Sequence, residues 1–104
     1  MAYTNRGNAY DNKGESDKAI ADYNKAIQIN PEYDGAYFNR GLTYYHQGEL
    51  DKAIADYSKV IEINPEFAEA YYNRGNAYAD KGEHDKAIAD FNKALEINPN
   101  IVSS

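Results

Sequence analysis

Asp51-Lys-Ala-Ile-Ala-Asp-Tyr-Ser-Lys-Val-Ile-Glu-Ile-Asn-Pro65 has close variants at residues 17–31 and 85–99. The closing prolines lie 34 positions apart, since 65 − 31 = 34 and 99 − 65 = 34. A second block, Asn-Arg-Gly, keeps the same register at Asn5, Asn39 and Asn73. Three blocks repeating at one fixed period indicate a stacked array of one small unit, each copy packing only on its neighbours.

Within the middle copy, Ala53, Ile54, Tyr57, Val60 and Ile61 follow the i, i+3, i+4, i+7 spacing of an amphipathic helix. Upstream, Tyr37, Gly41, Tyr44 and Tyr45 show the same period. Gln47-Gly48-Glu49 separates the two runs. Glycine allows the left-handed turn that ends a helix, and the glutamate suits the positive start of the next one. Asn64-Pro65 then stops the second helix. The unit is a helix hairpin. Six helices are expected near residues 2–13, 16–29, 33–47, 50–63, 67–81 and 84–97, an all-α chain.

The order of aromatic, glycine, tyrosine, alanine, aromatic, alanine and proline over 34 residues resembles the tetratricopeptide repeat (TPR) family. It is carried by Tyr37, Gly41, Tyr44, Ala53, Tyr57, Val60 and Pro65, by Tyr3, Gly7, Tyr10, Ala19, Tyr23, Ala26 and Pro31, and by Tyr71, Gly75, Tyr78, Ala87, Phe91, Ala94 and Pro99. Two departures stand out: Val60 replaces a usual alanine, and Arg6, Arg40 and Arg74 stand where the family more often has leucine. The resemblance implies a right-handed α-solenoid of three helix-turn-helix hairpins forming one domain, with repeats at 1–33, 34–67 and 68–101 and a tail at 102–104. Small residues at Gly41 and Ala53 are expected to let the paired helices approach closely.

Composition narrows the function. The chain has 104 residues, a net charge of −6 and no cysteine. Disulfides and thiolate metal sites are thereby excluded, and His46 and His84 read as surface residues, so no metal and no cofactor is expected. Phosphate binding needs clustered Lys and Arg, which argues against a nucleic-acid partner. No window approaches the roughly 18 apolar residues of a membrane span, and no secretory signal precedes the first helix. A soluble, cytoplasmic protein that is not an enzyme is expected. Its partner should be a protein or peptide, neutral or basic rather than acidic.

In the TPR family the first helix of each pair lines a concave groove. Carried over residue by residue, this implies that Asn5, Asn39 and Asn73 recur at one groove position. A carboxamide matches both the C=O and the N–H of a peptide backbone. With neighbouring helices roughly 8–10 Å apart and a peptide advancing about 3.3–3.6 Å per residue, one asparagine serves about every third peptide residue. The contrary reading is that these asparagines brace the hairpin. Groove positions that vary between copies include Asn8, Asp11 and Asn12, then Phe38, Leu42, Tyr45 and His46, then Tyr72, Asn76, Ala79 and Asp80. Phe38, Leu42 and Tyr45 form an apolar strip in the middle repeat. The family's clamp for chaperone C-terminal carboxylates uses two asparagines and three cations. Its positions map to Thr4, Asn8, Asn39, Glu69 and Asn73, which hold none of the cations.

Two further expectations follow. Arg6 and Asp22, Arg40 and Asp56, and Arg74 and Asp90 are each 16 apart, which places them on opposite helices of a hairpin as ion pairs. No capping helix follows the last repeat, so the side of the last helix around Phe91, Ala94 and Leu95 is expected to be partly exposed. An alternative function follows from that edge: a structural element that stacks end to end into homo-oligomers, compatible with an excerpt of a longer array, a naturally short protein or a designed array.

Overall fold

The computed structural model describes residues 2–101. It contains α1 (Ala2–Asn12), α2 (Ser16–Ile29), α3 (Asp34–His46), α4 (Leu50–Ile63), α5 (Ala68–Asp80) and α6 (His84–Ile97). No strand interrupts them among the described residues. No helix is long and apolar enough to cross a membrane.

Local chemistry sets the ends. Gly14, Gly48 and Gly82 have φ of 79°, 78° and 82°, the left-handed region that other residues avoid. That turn lets the next amide reach back: Glu15 N donates to Tyr10 O, Glu49 N to Tyr44 O and Glu83 N to Tyr78 O, at 2.8 to 2.9 Å. The last carbonyls of α1, α3 and α5 are thus satisfied. At the other turn, Asn30 Oδ1 and Asn64 Oδ1 accept the amides of Glu32 and Glu66, closing an Asn-Pro-Glu turn after α2 and α4. Tyr33 and Phe67 lie one residue outside the helices in non-helical backbone, so α3 and α5 begin one residue later than their apolar spacing suggests.

Packing follows from what is small. At Gly41 an added Cβ would stand 2.7 Å from Tyr57 Cε1, and Gly7 and Gly75 meet Tyr23 and Phe91 in the same way. The glycine is therefore the seat on which the partner helix lays its aromatic ring. Ala19, Tyr23, Ala53, Tyr57, Val60 and Ala87 close the hairpin interiors.

Hairpins stack because α2 packs on α3 and α4 on α5. In addition α1 meets α3 and α3 meets α5, while no comparable contact joins α2 to α4 or α4 to α6 among the described residues. Close first helices and splayed second helices curve the array, with α1, α3 and α5 on the inner face. The edge expected around Phe91, Ala94 and Leu95 needs one correction. Phe91 and Leu95 are half-buried, but Ala94 is fully buried. It shares a stripe with Asp90 and Ala87, one and two turns back, and that stripe faces the interior.

Candidate functional site

Each hairpin is clasped by one arginine. Arg40 Nε and Nη2 donate to the two oxygens of Asp56 at 2.8 and 2.7 Å. Arg6 holds Asp22 and Arg74 holds Asp90 with the same fork. The guanidinium carbon of Arg40 lies 5.6 Å from the Tyr37 ring and 5.8 Å from the Tyr44 ring, which sandwich it at i−3 and i+4. The third nitrogen, Nη1, reaches back to Asn24 of the preceding hairpin at 2.7 Å, and Arg74 reaches Ser58 at 3.1 Å. Sequence reading missed both features, although the signal was present: Asn24 precedes Arg40 by 16 residues, as Asp56 follows it by 16.

Asp22 and Asp56 are equally buried, but the arginines that hold them are not. Arg6 side chain is 58% exposed against 20% for Arg40. In the open first hairpin the bond from Arg6 holds Asp22 below the usual carboxylate range. In the closed second one, burial pushes Asp56 up against the pull of Arg40.

On the inner face, the carboxamides of Asn5, Asn39 and Asn73 make no hydrogen bond to another described residue. No hairpin bracing is seen at these positions. Asn8 is different, because its Oδ1 accepts the Tyr23 hydroxyl at 2.6 Å. In the next hairpin Leu42 replaces Asn8, and the Tyr57 hydroxyl is buried with no partner. Phe38 packs 4.9 Å from Phe67 and 5.9 Å from Tyr57, so much of this ring belongs to the junction between hairpins. Tyr72 lies likewise 5.6 Å from Phe91. Tyr45 crosses the gap from α3 to α5 and donates to Asp80. Asn76 is half-buried on α5. Between α1 and α3 a cavity of 370 Å³ remains, lined by Asn8, Asp11, Asn12, Tyr23, Asn39, Leu42 and His46. Of the clamp positions, Thr4 is buried and Glu69 exposed. No group of three or more His, Asp or Glu able to hold a metal occurs among the described residues.

Repeat by repeat the chain matches known families: the description "TPR repeat" over residues 7–48 and 43–82, and "Tetratricopeptide repeat" over residues 68–101. This protein belongs to the tetratricopeptide repeat family. Among solved structures, two crystal structures of MamA are 41% identical, with TM-scores of 0.92 and 0.89. They cover 99% and 98% of this chain, which spans only 60% and 56% of their own lengths. The first TPR of Spaghetti (RPAP3), bound to the HSP90 peptide SRMEEVD, is 27% identical over 95% of this chain and 79% of that one, with a TM-score of 0.92. No curated protein matches the chain.

Proposed function

We propose that this TPR array is a non-catalytic interaction module that holds an extended peptide segment of another protein against α1, α3 and α5. The observation that carries the reading is the row Asn5, Asn39 and Asn73: three unengaged carboxamides at one register of three successive helices. Asn39 and Asn73 are half-buried and Asn5 is exposed; a carboxamide covered by a ligand needs a partner, and a peptide backbone supplies both donor and acceptor. The similar RPAP3 domain bound to a peptide supports the class.

The same face also points to the ligand's charge. No lysine lies on α1, α3 or α5, and each of their arginines is held by an aspartate. The free charges there are carboxylates, so an acidic peptide such as SRMEEVD finds no cation to meet it. A neutral or basic segment fits. The test is binding of a random octapeptide library to the chain, with the best binders measured by calorimetry. Asn39→Ala and Asn73→Ala should each weaken every binder severalfold whatever its side chains. Affinities indifferent to both changes would remove the ladder.

A further inference from the structure

We infer that the cavity between α1 and α3 is a subsite for one lysine or arginine side chain of the bound segment, with Asp11 as its counter-charge. The inference rests on the groove reading above and narrows it. The two gaps on the inner face are built from the same register but differ in what crosses them. In the second gap, Tyr45 spans from α3 to Asp80 on α5 and closes it. One repeat earlier, 45 − 34 = 11 places Asp11 where Tyr45 stands, and 80 − 34 = 46 places His46 where Asp80 stands. Aspartate is too short to span, and the gap stays open as the 370 Å³ cavity. That volume falls within the roughly 300–1,000 Å³ of ligand pockets and is ample for one long side chain of a bound segment.

Its walls select the chemistry. Asp11 forms no ion pair or side-chain hydrogen bond with another described residue. Lys13, two residues on, is held instead by Glu15 at 3.7 Å. Asn39 offers a free carbonyl oxygen, and the Tyr23 hydroxyl fixes the Asn8 carboxamide at the rim. Leu42 supplies the apolar wall along which a methylene stem can lie while its charged head reaches Asp11. An anionic side chain would meet Asp11 head-on, and an aliphatic one would leave it desolvated without a partner.

The experiment pans a phage library of random octapeptides against the whole chain, then measures the selected peptides with the parent, Asp11→Asn and Asp85→Asn. Asp85 lies on α6, away from the groove, and controls for net charge. The expected result is Lys or Arg at one fixed position. Norleucine in that position should weaken binding about tenfold, Asp11→Asn should do the same, and the two together should cost little more than either alone. Thermal melting of Asp11→Asn should match the parent. If peptides bind with no basic position, or if the two losses simply add, the subsite is overturned while the groove reading stands. If no peptide binds at all, the groove reading falls and the subsite with it.

Discussion

Tyrosine 57 shows what a single residue contributes and costs. Its counterpart Tyr23 donates to Asn8, whereas Leu42 at the matching position gives the Tyr57 hydroxyl nothing. A buried polar group left unpaired costs about 1–3 kcal/mol. The third copy already carries Phe91 at this register. Tyr57→Phe should therefore raise stability by about 1 kcal/mol, while Tyr23→Phe should lower it by a similar amount. Urea denaturation of both variants decides, and a loss at both sites would mean that the Tyr57 hydroxyl has a partner. Burial also pushes the Tyr23 phenol up to about 12, so ultraviolet titration should find a phenol that ionises well above the ordinary value of about 10. Gly41 is the opposite case, where addition is the harm. A Cβ would press on a ring that is fully buried and cannot swing away. The helix-propensity gain of about 1 kcal/mol is outweighed by overpacking of about 1–3 kcal/mol. Gly41→Ala should lower stability by up to about 2 kcal/mol in the same denaturation series, and a more stable variant would show that the hairpin can open without cost.

At the scale of helices and hairpins, the sequence was legible where a residue type has one physical job. Glycine in a left-handed turn and Asn-Pro after a run of period 3.6 placed all six helices to within a residue. The 16-residue Arg-Asp spacing likewise corresponds to the bidentate contacts seen in each hairpin. What resisted reading was direction. The stripe carrying Ala94 points inward, and Phe38 sits between hairpins as much as on the groove. Periodicity says that residues share a face, not which neighbour that face meets. The tie from Arg40 to Asn24 has a measurable consequence at this scale, because it is a charged donor joining two hairpins. Asn24 is exposed, so the bond is screened and Asn24→Ala should cost only about 0.5–1 kcal/mol. Its signature should be local: faster amide exchange in α1 and α2, with α5 and α6 unchanged. Uniformly faster exchange would show that the hairpins unfold as one unit.

For the whole molecule, acidity tests how its charges are balanced. Arg6 holds Asp22 below its ordinary value of 3.8, and Lys18 and Lys86 hold Glu15 and Glu83 below 4.5. A carboxylate depressed in the fold adds stability that is fully present above the unfolded value. It is lost as pH falls and the unfolded chain takes protons that the fold refuses. Asp56 works the other way, because burial raises it. The fold then accepts that proton before the unfolded chain does, which adds stability on acidification. Three depressed groups stand against one raised group, and the depressed ones lose their contribution below about 4.5. Melting temperature should thus stay level from pH 7 to about 5 and fall below about 4.5, measured by circular dichroism at constant ionic strength. Added salt should shrink the fall, since Glu15 and Glu83 interact through solvent. A melting temperature that rises between pH 5 and 3 would instead make the buried Asp56 the group that governs the acid limb.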